Sequence, residues 1–186
     1  MHDSKGVTTL LEAAALLRAG GFTDFRVEIN GANLRFASQP IQDQFQAFLA
    51  EEARLPAEAR RVQFNGPYDQ PDLAERMARI DWCVVPSVWA EAFGLVISEA
   101  WMFGKPVIAS AIGAMTERIR DDVDGLLFPP GHAPSLAEAM HRAATEEGLW
   151  QRLHAALPTS PGPEAMLAGF LPLYTPAPPR VQAAAR

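Results

Sequence analysis

A single cysteine, Cys83, occurs in the 186 residues, so no internal disulfide can form and the fold must rest on packing. The thiol falls in an apolar run, which fits a buried structural role in a reducing compartment. No stretch approaches the ~20 apolar residues of a bilayer span, and the N-terminus has no apolar signal core. A cytoplasmic location is expected, with membrane contact only through parts outside this chain. Positive charge is also scarce: 16 Lys and Arg face 22 Asp and Glu, a formal net charge of −6. That excludes bulk attraction to nucleic acid or anionic lipid, and any phosphate binding must be local. The dinucleotide fingerprint Gly-x-Gly-x-x-Gly is absent, which argues against a nicotinamide or flavin oxidoreductase. No internal repeat is visible.

At 48% hydrophobic residues, the chain can bury one good core. Val7 to Arg18 reads as a helix, with Leu10, Leu11, Ala14 and Leu17 on one face and Gly20-Gly21 as its stop. Phe25, Val27 and Ile29 alternate up to the turn Asn30-Gly31, giving a strand. Gln39 to Glu52 is helical, with Phe45, Phe48 and Leu49 on its apolar side. Arg61 to Asn65 forms the next strand, closed by Gly66-Pro67, and a helix from Pro71 to Arg79 carries Leu73 and Met77 at spacing four. Strands follow at Trp82 to Pro86, Pro106 to Ala109 and Leu126 to Phe128. Ser135 is placed to cap a helix from Leu136 to Glu146. Gly148 to Leu157 and Glu164 to Tyr174 are the last helices, with Pro158 to Pro163 as linker. The alternation predicts an α/β fold, a Rossmann-like open parallel sheet with helices on both faces, in one domain over residues 1–174. The proline- and alanine-rich residues 175–186 are expected to be a disordered tail.

In such a sheet the ligand lies at the carboxyl ends of the strands. The stretch there is Pro86-Ser87-Val88-Trp89-Ala90-Glu91-Ala92-Phe93-Gly94-Leu95-Val96-Ile97-Ser98-Glu99-Ala100. It predicts a strand end, a polar loop and a helix that begins near Gly94 and stops at Gly104, ahead of Pro106. A helix start without a side chain leaves its first amides open to an anion. Glu91 before that start and Glu99 about five residues inside it bracket the position. Carboxylates repel phosphate, so they suit hydroxyl groups, with the amides taking a diphosphate between them. Asp122-Val123-Asp124 leads a glycine turn into an edge strand far from this loop, and it is read as turn chemistry rather than a metal site.

The string from Pro86-Ser87 through Glu91 and Glu99 to Gly104-Lys105-Pro106-Val107-Ile108-Ala109 resembles the nucleotide-sugar site of retaining GT-B glycosyltransferases of family 4. The resemblance extends from Lys5 to Tyr174 and corresponds to the C-terminal, donor-binding half of such an enzyme. It implies a nucleotide diphosphate sugar as donor substrate, no separate cofactor and no metal. Lys5, before Gly6, would meet the donor diphosphate together with the amides near Phe93, Gly94 and Leu95. Glu91 would hold the sugar hydroxyls and Glu99 the ribose hydroxyls. The nucleobase would lie near Gly31 and near Val62, Asn65, Gly66 and Leu73. Gly113-Ala114-Met115-Thr116-Glu117 resembles the family's glycine pair and glutamate, with Ala114 in place of the second glycine.

The resemblance further implies that the family's N-terminal acceptor domain has no counterpart here and would come from a missing segment or a separate subunit. The strand that should precede Lys5 is likewise expected to be absent. It would belong between the strands at Phe25 to Asn30 and Trp82 to Pro86. Two functions remain open on the sequence: the donor half of a glycosyltransferase, or a non-catalytic sugar-nucleotide module or remnant that depends on a partner. An epimerase of the same architecture is weaker, because no acid and base residues for it can be located.

Overall fold

The computed structural model describes residues 2–31, 34–159 and 163–174. A short 3-10 turn, Asp3–Lys5, leads into α1 (Val7–Ala19) through Gly6, whose backbone is left-handed. Gly6 is required there on two counts. Its φ is +66°, and a β-carbon would lie 1.7 Å from the carbonyl oxygen of Pro86, where no side chain fits. The N-terminal turn is also tied to the same segment by the Val88 amide, which donates to the Ser4 carbonyl at 2.8 Å.

Helix α1 is followed by β1 (Val27–Asn30), α2 (Gln39–Arg54), β2 (Val62–Gly66), α3 (Leu73–Ala78), β3 (Cys83–Val85), α4 (Leu95–Met102) and β4 (Val107–Ser110). Then come α5 (Ala114–Arg118), β5 (Gly125–Phe128), α6 (Ala133–Thr145), α7 (Leu149–Ala155) and α8 (Pro163–Tyr174). All pairings between these strands are parallel. β1 pairs with β2, Val27 opposite Val62 and Asn30 opposite Gly66. β3, β4 and β5 pair in that order.

Side chains alternate across the three-stranded sheet, as the period of two requires. Ile108, Leu126 and Phe128 face a core shared with α1 and α6, while Cys83, Val85, Val107 and Ala109 face Ile97 and Ala100 of α4 and Met115 of α5. Val27, Ile29 and Val62 belong to the same core as α1, so one core joins both sheets. Cys83 is buried, and burial, reinforced by the Glu99 charge, pushes its thiol up to about 12. This is an inert structural cysteine.

Several expectations need correction. β1 and β3 share no ladder, so the described strands form two sheets rather than one. Phe25 and Trp82 fall outside the strands and pack, half-buried, against the core. The helix expected from Pro71 is a 3-10 turn, Gln70–Asp72, capped by Asp69, and only then α3. Ser135 does not cap α6: the helix starts at Ala133 and its cap is His132, whose Nδ1 accepts from the Ser135 amide. The carboxylates near the Asp122 turn are engaged by arginines, Asp124 by Arg120 at 2.7 Å and Asp122 by Arg142 at 3.0 Å. Residues 175–186, expected to be a tail, lie outside the described residues.

Candidate functional site

β3 delivers the chain to the site. It ends at Val85, and buried Pro86 and Ser87 start a loop that runs through exposed Val88, Trp89 and Ala90 to Glu91. The Glu91 carboxylate accepts two hydrogen bonds at Oε1, from the Lys5 ammonium at 2.6 Å and from the Ser87 hydroxyl at 2.8 Å. Burial alone would raise the Glu91 carboxyl. The hydrogen bonds from Lys5 and Ser87, with the Lys5 charge, outweigh it and hold the group below its ordinary value. Lys5 is therefore not an unpartnered cation at a helix start. It comes 86 positions along the chain to Glu91, carried by the Gly6–Pro86 contact.

Helix α4 starts as expected. Gly94 is its N-cap in left-handed conformation, φ +69° and ψ +66°, and no side chain caps the helix there. The amides of Leu95 and Val96 precede the first intrahelical acceptor, and the Ile97 amide turns back to the Gly94 carbonyl at 3.0 Å. Phe93 and Leu95 are exposed on either side of Gly94. An anion can reach these amides without displacing a side-chain cap.

Glu99 lies one turn further along α4 and is half-buried. Among the described residues its carboxylate takes no hydrogen bond and no ion pair. The Glu99 charge acts on Cys83 and Tyr68: burial raises the Tyr68 hydroxyl, and the Glu99 charge raises it further. The Tyr68 ring in turn stands against Gly31, 3.5 Å from where a β-carbon of that glycine would sit.

At the ends of β1 and β2, Gly31 donates its amide to the Gly66 carbonyl at 2.9 Å. Both glycines are left-handed, and space is open where a side chain of Gly66 would stand. The Asn65 amide nitrogen is not free: it donates to Glu28 and Asn30, each at 3.0 Å, while its oxygen accepts from Gln63 at 2.7 Å. Arg76 and Arg79 close this network on Asn30 and Glu28. Val62 is in the core at the start of β2, and Leu73 is buried at the start of α3. Of the expected base-side set, Gly31 and Gly66 stand at the strand ends, Asn65 is hydrogen-bonded beside them, and Val62 and Leu73 are buried.

Ser87, buried beneath Glu91, had no role assigned from sequence. Gly113 and Ala114, which resemble the family's glycine pair, hold the loop: the Ala114 amide donates to the Glu91 carbonyl at 3.0 Å, and a β-carbon on Gly113 would meet Ala90 and Glu91 backbone at 2.9 Å. The methyl of Ala114 is buried, and its amide is spent on the loop. The glycine is needed for close backbone approach to Glu91.

Fold and site together define a GT-B, Rossmann-like α/β domain in which a helix start without a side-chain cap is flanked by two carboxylates. The sequence model described as "Glycosyl transferases group 1" matches residues 1–146, and the chain belongs to that family. A D-inositol 3-phosphate glycosyltransferase of Streptomyces bingchenggensis is 39% identical over 93 residues, which is 50% of this chain and 20% of the relative. The chain therefore spans about a fifth of that relative's length in the match. The C-terminal domain of a group 1 glycosyl transferase (LpcC) of Francisella tularensis has the same fold, with TM-score 0.68 and 23% identity, covering 84% of this chain and 77% of that one. An Anabaena protein, Alr3699/HepE, solved in complex with UDP and glucose, superposes with TM-score 0.58 at 23% identity over 78% of this chain and 46% of its own. Among the described residues no helix is long and apolar enough to cross a membrane.

Proposed function

We propose that this chain binds a nucleoside diphosphate sugar and serves as the donor half of a retaining glycosyltransferase. The observation that carries this reading is the convergence of Lys5, Glu91 and the uncapped start of α4 at the carboxyl end of β3. The α4 amides and the Lys5 ammonium take the diphosphate. They stabilise it more strongly as negative charge develops on the leaving group, which is the part of binding that accelerates transfer. Glu91 accepts hydrogen bonds from the sugar hydroxyls. Glu99 has its oxygens available for the two ribose hydroxyls. The base then lies along Gly31 and Gly66. The Anabaena protein's complex with UDP and glucose supports a donor of this class.

In the ligand-free arrangement Lys5 neutralises Glu91. Donor binding must part them, giving the ammonium to phosphate and the carboxylate to the sugar. An acceptor is then held by a surface beyond this domain, on an N-terminal region or a separate subunit. Titration calorimetry of the chain against uridine, guanosine and adenosine diphosphate sugars tests the reading. One of these donors is expected to bind clearly above the rest. Absence of binding by all three classes would remove the donor site.

A further inference from the structure

Helix α5 is five residues long, yet it touches the Glu91–Gly94 loop at three places. Its first residue, Ala114, donates its amide to the Glu91 carbonyl. Its second, Met115, is fully buried and lies under Gly94, with sulfur and terminal methyl 3.4 Å from where a β-carbon would stand. Its last, Arg118, reaches over the top. One Arg118 nitrogen, Nη1, donates to the carbonyls of Phe93 at 2.8 Å and Gly94 at 3.0 Å, and Nη2 donates to the Ser98 hydroxyl at 2.8 Å. The guanidinium is also stacked between two aromatic rings, 4.3 Å from the Phe93 centroid and 5.0 Å from that of Trp101.

A cation at a helix start opposes the helix dipole, so this placement is unfavourable unless the hydrogen bonds and ring contacts offset it. They do so by binding two adjacent carbonyls at a left-handed glycine, the residue with the greatest backbone freedom in the loop. Fixing those carbonyls fixes the peptide planes that carry the Gly94 and Leu95 amides. The rigid planar fork is what spans three acceptors, and a lysine cannot do so.

We propose that Arg118 is a positioning residue that preorganises the start of α4 for the diphosphate of the donor, while Ala114, at the other end of the same helical turn, independently sets Glu91. The proposal rests on the donor-site reading above. It separates the two halves of recognition: loss of Arg118 loosens the phosphate end and leaves the sugar end tied.

The test compares the parent chain with Arg118→Ala and Arg118→Lys at 25 °C, using UDP and UDP-glucose as probes and a melting curve for each protein. Arg118→Ala is expected to weaken UDP roughly tenfold. The affinity ratio between UDP-glucose and UDP should stay unchanged, because Glu91 keeps its tie. Arg118→Lys should show nearly the same loss, since charge alone does not restore the fork. Low-millimolar guanidinium should recover part of the UDP affinity of Arg118→Ala and leave the parent unaffected. A merely structural role would lower the melting temperature and leave the affinity of folded protein alone. Folded Arg118→Lys with UDP affinity within about twofold of the parent would overturn the proposal, as would a loss confined to UDP-glucose. Failure of the parent to bind UDP, GDP and ADP alike would instead overturn the donor-site reading, and this proposal with it; where it binds GDP or ADP, that nucleotide and its sugar take the place of UDP and UDP-glucose as probes.

Discussion

The ammonium of Lys5 stands 2.6 Å from Oε1 of Glu91, and the same oxygen accepts the Ser87 hydroxyl at 2.8 Å. The pair joins the N-terminal turn to the loop after β3, and it holds the Glu91 carboxyl below its ordinary value of 4.5 against the opposing effect of burial. A carboxyl depressed in the folded state stabilises the fold above its unfolded value, and that stability fades as pH falls through the folded value. Lys5 is half-exposed, so the contribution is small, about 0.5 kcal/mol after solvent screening. Melting curves of the parent and Lys5→Met should therefore differ most near neutral pH and converge toward pH 3. A gap that widens as pH falls would contradict the pairing.

The two glutamates should separate on titration with bare nucleotide. Glu99 has no partner to lose among the described residues, so Glu99→Ala removes only its bonds to ligand and should weaken UDP by about 1–3 kcal/mol. Glu91→Ala releases Lys5 from its ion pair and should leave UDP affinity equal to the parent's or higher. The same variant should lose the preference for UDP-glucose over UDP. Calorimetry with both ligands on both variants checks this. Equal losses of UDP affinity would defeat the division between sugar and ribose.

What the sequence discloses here is whatever depends on neighbours within a few residues. Gly94 as the start of α4, Gly104 just past its end and the alternation of Val27 and Ile29 in β1 follow from local sterics and side-chain period, and they stand in the structure as expected. The spacing of Glu91 and Glu99 was equally readable, because both lie in one loop-helix segment. Arg118 was not, since its acceptors are 20 to 25 positions away and a lone arginine in a polar stretch is ordinarily a solvated charge. The Lys5–Glu91 pair was hidden for the same reason: both residues were attributed to ligand, and only the fold shows that they reach each other. His132 displaced Ser135 as the cap of α6 because Pro134, at an early helix position that tolerates its missing amide, lets the helix begin sooner.

Gly6 should be the least replaceable glycine at this site. Alanine there must adopt φ +66° and place its methyl 1.7 Å from the Pro86 carbonyl, so backbone has to move. Strain of this kind costs roughly 2–4 kcal/mol. Because Gly6 also sets the position of Lys5, Gly6→Ala should lower the denaturant midpoint and abolish the stability difference between the parent and the Lys5→Met background. Gly148→Ala is a control: its φ of +74° is similar, but nothing lies within 4 Å of an added β-carbon. A Gly6→Ala variant no less stable than Gly148→Ala would show that the close approach to Pro86 does not constrain the fold.

The last prediction concerns the sheet. β1 pairs on one side with β2, β3 pairs on one side with β4, and neither shares a ladder with the other. Among the described residues each therefore has one edge with no paired strand, although residues of both sheets share one core with α1. Strands sit ~4.8 Å apart, so a seat for one added strand holds its two neighbours ~9.6 Å apart. Unpaired backbone groups at a covered edge are unfavourable, and a strand that satisfies them on both sides should be strongly stabilising. Fusing five or six alternating apolar residues upstream of the Asp3–Lys5 turn should raise the melting temperature. It should also slow hydrogen exchange at the edge amides of β1 and β3, while a polar, glycine-rich extension of equal length should do neither. Equal exchange at these amides in both fusions, with no change in melting, would show that the space between the two strands does not accept a strand.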